Sequence, residues 1–286
     1  MGFMTRYFAS YDGTRLAYQV QDSGSPLLCL PGGPGRNPEY FGDLGGVGKL
    51  ADRELVLLEL RGTGGSAVPA DPATYRCDRM TGDVEALRIH LGLDQIDLLG
   101  HSAGGDLALL YAARYPDRIG RLILLNPALH SVGLAVTVDE LLANMAVRSA
   151  EPWYSGARAA AEAAFGGDES EANRRGLRPF FYGRWDEAAR AHAAGESDRV
   201  PAVTDGYYAE GAFDPAQTRA LLARVSAPVL VLTGDLDLGP TPQRAAEAAA
   251  LFPAGEVVVL PGAAHTSWLD DPSGFAAALT DFLGSS

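Results

Sequence analysis

Three side chains in this sequence could carry out covalent chemistry together, and each follows an apolar run. Ser102 lies in Gly100-His101-Ser102-Ala103-Gly104-Gly105, after Ile96-Asp97-Leu98-Leu99 and before the helical pattern Leu107, Ala108, Leu110, Tyr111, Ala112. Such a G-x-S-x-G stretch predicts a strand, a sharp turn and a helix, with the hydroxyl held clear of the sheet. The glycines let neighbouring backbone approach, and the helix offers its unpaired amides to developing negative charge. The same residues would also suit a plain serine N-cap, so the motif alone does not decide. Asp237 ends Gly234-Asp235-Leu236-Asp237 after the run 228–233, and His265 ends Gly262-Ala263-Ala264-His265 after the run 257–260. The chemistry this set supports is nucleophilic: a serine activated by a histidine that an aspartate orients. Asp235 is the rival acid, while an acid one strand earlier is excluded because Asn126 stands in that place.

The elements that must position these groups are legible from apolar periodicity. Residues 6–10 and 16–20 around Asp12-Gly13 predict a β-hairpin. Leu27-Leu28-Cys29-Leu30 predicts a buried strand, and Pro31-Gly32-Gly33-Pro34-Gly35 follows it at once. That loop could aim a backbone amide into a cleft, with no side chain at Gly33 to block a substrate oxygen. The amides of Gly33 and Ala103 are therefore the candidate oxyanion donors. Another strand is expected at 55–60, and Arg61-Gly62-Thr63-Gly64-Gly65-Ser66 after it has no phosphate-loop lysine, so it reads as a structural turn. A helix is expected over 83–91 with Gly92 as its cap, a strand over 122–126, and helices over 242–251 and 272–283. Strands alternating with helices call for a parallel sheet covered on both faces.

From about His130 to Asp214 the alternation stops. Alanine-rich helical stretches at 157–165 and 185–194 appear without strands between them, which predicts an inserted helical cap. The expected organisation is a core of 1–129 and 215–286 with a cap of 130–214. Trp153, Phe181, Tyr182, Trp185 and Tyr208 of that insertion are expected to line an apolar pocket as well as to pack the small subdomain.

Composition narrows the partners. The chain has 286 residues, a formal net charge of −13 and 47% hydrophobic residues, which suits a globular protein with a full core. Its field repels phosphate backbones and anionic membranes, so neither nucleic acid nor a membrane is an expected partner. Residues 1–6 carry no apolar signal core and no later run is long enough to span a bilayer, which predicts a cytoplasmic location. Cys29 reads as a small buried hydrophobe, and Cys77 lies in a polar stretch that fits either an inert or a reactive thiol. His90 reads as a packing or surface residue. The five histidines form no metal-ligand spacing, and neither a metal nor an organic cofactor is expected.

Ser102, Asp237 and His265 are expected just beyond the C-terminal ends of parallel strands and occur in the order of an elbow-type hydrolase. At this point the sequence resembles the α/β-hydrolase family over nearly its whole length. Within that family it is similar to the proline iminopeptidases: Pro31-Gly32-Gly33-Pro34-Gly35 stands beside their H-G-G-P-G, and Glu59-Leu60-Arg61-Gly62 beside D-Q-R-G. The resemblance implies an α/β-hydrolase fold, a mostly parallel sheet with helices on both faces and an inserted cap. It also implies catalysis by Ser102, His265 and Asp237 through an acyl-enzyme, on a small-molecule or short-peptide substrate. Pro31 departs from the histidine of the first motif, Ala103 from the tryptophan that commonly follows the serine, and the arginine-flanked cap glutamate motif is missing. Glu210, with Asp205 nearby, is the cap acid placed to meet a free amino terminus. A carboxylesterase or lactonase is the alternative, and a non-hydrolytic receptor or lyase of the same fold is a second.

Overall fold

The computed structural model describes residues 4–168, 170–195 and 199–284. Met1 to Phe3, and residues 169 and 196–198 of the expected insertion, lie outside them. The strands are β1 (Met4–Ala9), β2 (Arg15–Gln21), β3 (Ser25–Leu30), β4 (Arg53–Leu58), β5 (Ile96–His101), β6 (Ile119–Leu125), β7 (Val229–Gly234) and β8 (Gly255–Leu260). They form one sheet in the order β1-β2-β4-β3-β5-β6-β7-β8. β1 and β2 make the antiparallel hairpin, closed at Gly13 with φ +81°, and β2 runs antiparallel to β4. From β4 to β8 every pairing is parallel.

Why the strands read as unbroken apolar runs is visible in where their side chains go. Leu28 and Leu30, Val56 and Leu58, Leu122 and Leu124, Val229 and Val231 enter one core. Their alternates Leu27 and Cys29, Leu55 and Leu57, Ile123 and Leu125, Leu230 and Leu232 enter the other. A strand buried on both faces has no polar side to show, so period two vanishes from its sequence.

The helices are α1 (Val47–Leu50), α2 (Cys77–His90), α3 (Ala103–Arg114), α4 (Val138–Asn144), α5 (Tyr154–Phe165), α6 (Glu171–Gly176), α7 (Glu187–Gly195), α8 (Pro201–Tyr207), α9 (Pro215–Leu222), α10 (Pro242–Ala249), α11 (Ser267–Asp270) and α12 (Pro272–Gly284). Met80, Val84 and Leu87 of α2, Leu107 and Tyr111 of α3, Leu222 of α9 and Ala245 of α10 cover the first face. Trp268 of α11 and Phe275, Leu279 and Phe282 of α12 cover the second. Each fully buried Val, Leu, Met or Phe side chain among them contributes roughly 1.5–3 kcal/mol. Between β6 and β7 the described residues contain helices and no strand. There Met145, Ala157, Ala161, Leu177 and Phe180 build a small core of their own.

The Arg61 turn is structural, as expected. Its fully buried guanidinium donates to Asp83 and Asp12, joining the hairpin to α2. His90 packs against Phe8 and Tyr18. Cys77 is fully buried, and burial pushes its thiol well up from the ordinary value, which makes it inert rather than reactive. No helix among the described residues is long and apolar enough to cross a membrane.

Candidate active site

The C-terminal ends of β3, β5, β6, β7 and β8 meet at one edge, and the residues that follow them face each other there. The turn after β5 puts Ser102 at φ +53° and ψ −121°, a region costly for a residue with a side chain. Close packing around it explains the glycines: a Cβ on Gly104 would lie 2.3 Å from the Leu30 carbonyl oxygen, and one on Gly100 2.4 Å from that of Gly104. α3 begins at Ala103, and among the described residues neither the Ala103 amide nor the Gly33 amide has a backbone acceptor outside helices and strands.

Asp237 sits after β7, almost wholly buried. Its Oδ2 lies 3.0 Å and its Oδ1 3.3 Å from Nδ1 of His265, which follows β8. A carboxylate only accepts, so the His265 ring donates from Nδ1 to Asp237. Asn126, at the end of β6, donates from Nδ2 to Asp237 Oδ2 at 2.7 Å and to the Ala264 carbonyl at 3.0 Å. Its Oδ1 accepts from Ser267 at 2.8 Å. The sequence read Asn126 only as ruling out an acid; its role as the hub beneath the Asp237–His265 pair needs the fold to be seen. Asp235, the rival acid, accepts from the Gly262 amide at 2.7 Å, and it is Asp237 that meets the His265 ring.

A second network ties the loops around the serine together. Nε2 of His101 lies 3.1 Å from the His265 carbonyl, and Nδ1 lies 2.8 Å from the Tyr40 hydroxyl. The carbonyl accepts, so Nε2 donates; the neutral ring must then accept at Nδ1, and the Tyr40 hydroxyl donates to it. That hydroxyl in turn accepts from the Gly32 amide at 2.7 Å. Burial, helped by the nearby His265, His192 and Arg36, drives the His101 pKa well below its ordinary value, which keeps the relay neutral.

Ser102 and His265 open on a cavity of about 390 Å³. Leu129, Leu134, Val136, Leu141, Phe181 and Pro240 line it with apolar side chains, and Gly33, Arg36, Arg199, Tyr208 and His130 are also on its wall. His130 is half-exposed, and its bond to the buried Asp106 at 3.1 Å raises its pKa.

Of the aromatics expected on the wall, the structure brings Phe181 and Tyr208 there. It does not bring the others. Trp153 packs edge-on to Phe180 under the Arg148 guanidinium, and Tyr182 is fully buried between Trp185 and His192. These rings hold the insertion's own helices together, because its alanine-rich helices offer little else to bury. Glu210 is also off the wall: it is exposed, and its carbonyl accepts from Arg76 at 3.3 Å. Arg36, Arg199 and His130 are cavity residues that sequence alone did not single out.

The chain matches the model of a family described as alpha/beta hydrolase fold over residues 25–272. It is 28% identical over 283 residues to a proline iminopeptidase of Levilactobacillus brevis, covering 94% of this chain and 91% of that protein. Its fold is similar to an esterase from Exiguobacterium antarcticum, with a TM-score of 0.75 at 20% identity, covering 99% of this chain and 100% of that one. It is equally similar to a proline iminopeptidase of Mycobacterium smegmatis, with a TM-score of 0.75 at 21% identity and 98% of each chain covered.

Proposed function

The chain belongs to the alpha/beta hydrolase family, and from that premise we propose that it is a serine hydrolase cleaving a small ester through an acyl-enzyme. The observation that carries this is the Asp237–His265 pair opening on the same cavity as a strained Ser102. Ser102 Oγ attacks the acyl carbon as His265 Nε2 takes its proton, and the imidazolium so formed is stabilised by Asp237. The tetrahedral oxyanion is received by the amides of Gly33 and Ala103, each donor being worth about 3 kcal/mol in the barrier. His265 then returns its proton to the leaving group, and water enters by the same route in reverse to release the acid. In this scheme residues 130–214 form a cap inserted into a core of 1–129 and 215–286.

A prolyl amide is the second reading, favoured by the relative from Levilactobacillus brevis. Against it, the described cavity wall includes no carboxylate to meet a free amino terminus, and Glu210 lies elsewhere. Turnover of a short-chain 4-nitrophenyl ester and of proline 4-nitroanilide, each with wild type and Ser102→Ala, separates the two. We expect serine-dependent ester cleavage, a loss of about 10⁴-fold or more in kcat for Ser102→Ala, and fluorophosphonate labelling of wild type only. Undiminished ester turnover by Ser102→Ala would remove the mechanism, and preferential cleavage of the anilide would establish the second reading.

A further inference from the structure

Gly33, whose amide is the proposed oxyanion donor, has φ +53°, and Gly35 has φ +91°. Glycines leave the peptide planes of such a loop easy to turn, so something must hold them. After Gly33 the hold is local, from the Arg36 amide to the Gly33 carbonyl at 2.9 Å. Before Gly33 it comes from outside the loop: the Gly32 amide donates to the Tyr40 hydroxyl at 2.7 Å. The peptide that carries the Gly33 N–H thus lies between two held ones. Gly32 is also packed hard on the elbow, where a Cβ would stand 2.5 Å from Ser102 Cβ.

From Tyr40 the bonds run on in one direction. The hydroxyl donates to Nδ1 of His101 at 2.8 Å, and Nε2 of His101 donates to the His265 carbonyl at 3.1 Å. A single file of donors therefore joins the loop of Gly33 to the loop of His265, and bonds in such a file polarise one another. α7 reaches Tyr40 by a separate route. Its His192 donates from Nε2 to the Tyr40 carbonyl at 2.8 Å, while Nδ1 lies 2.8 Å from the Tyr182 hydroxyl. The Tyr40 ring stacks on Phe41 with centres 4.5 Å apart, so the hydroxyl is located through both ring and backbone.

We propose that Tyr40 is a positioning residue for hydrolysis: its hydroxyl aims the Gly33 amide by holding Gly32, and His192 of α7 sets the place from which it does so. The proposal rests on the reading that the Gly33 amide receives the oxyanion, and adds what aims it. Such a donor counts only when it is fixed in advance towards the developing charge. Losing the hold should therefore weaken the transition state and spare ground-state binding.

The test uses two ketones. Pentyl trifluoromethyl ketone takes the serine oxygen to form a tetrahedral adduct bearing an oxyanion, whereas pentyl methyl ketone matches it in shape without adding. In Tyr40→Phe, which keeps the ring, kcat/KM for 4-nitrophenyl hexanoate should fall about tenfold, the worth of one such hydrogen bond. Inhibition by the trifluoromethyl ketone should weaken by the same factor, and inhibition by the methyl ketone should not change. His192→Phe should show a smaller loss of the same kind, and His192→Gln, which still offers a donor, should keep wild-type selectivity. The double variant Tyr40→Phe/His192→Phe should be no worse than Tyr40→Phe alone. A purely structural role would lower melting temperatures and leave the ratio of the two ketone affinities intact, which would overturn the proposal. Losses that multiply in the double variant would overturn the part given to His192. Failure of the hydrolase reading looks different, because Ser102→Ala would then keep its turnover. Amide exchange at Gly32, followed by NMR, still decides the hold in that case: faster exchange in Tyr40→Phe supports it, and exchange equal to wild type overturns it.

Discussion

Asn126 holds the Asp237–His265 pair from below, and its effect can be separated from that of the acid itself. Asn126→Ala removes the 2.7 Å bond to Asp237 and leaves the Ala264 carbonyl and Ser267 hydroxyl only each other, at 3.1 Å. We expect kcat to fall about ten- to a hundredfold, the worth of a hydrogen bond to a charged group, with KM nearly unchanged. Steady-state kinetics beside a melting curve checks this, because a purely structural role would lower stability and leave kcat per folded molecule intact. His130 supplies a pH signature. Its bond to Asp106 raises its pKa above the unfolded value, so the stability it contributes is full below about pH 6.5. That contribution is lost as pH rises through the folded value. The stability gap between wild type and His130→Gln in urea titrations should be widest at the acid end and close towards alkaline pH.

Among elements, the contact between the β5–α3 turn and the end of β3 tolerates the least change. Gly104→Ala drives a methyl into the Leu30 carbonyl, and neither backbone can retreat without moving a central strand. A loss of about 3 kcal/mol is expected, the upper range for overpacking, read as a lower urea midpoint. A wild-type midpoint would mean that the turn is looser than described. The core strands were legible in the sequence because burial on both faces leaves unbroken apolar runs. The places of Ser102, Asp237 and His265 were legible because each follows such a run. The insertion was not, beyond its helical character. Short alanine-rich helices leave open which ring points where, so Trp153, Tyr182 and Trp185 looked as suited to the cavity as Phe181. Arg36 and Arg199 both stand beside Gly33, with the Val200 amide bonded to the Gly35 carbonyl, a pairing with no local signal.

At the scale of the whole molecule, the loop bearing His265 is gripped from three directions. Its amide donates to the Phe181 carbonyl at 3.1 Å, its carbonyl accepts from His101, and the Ala264 amide before it donates to Asp270 at 2.8 Å. None of these bonds uses the imidazole. Cutting the side chain away by His265→Ala should therefore leave a ring-shaped vacancy whose walls, including Phe181 and His101, stay where they were. Free imidazole added to that variant should enter the mould, meet Asp237 and restore a saturable part of ester turnover, while larger methylated imidazoles should not. The same addition to Ser102→Ala should do nothing. A protein whose base can be lent back from solution treats that base as a replaceable part, and the scaffold, not the side chain, stores the geometry.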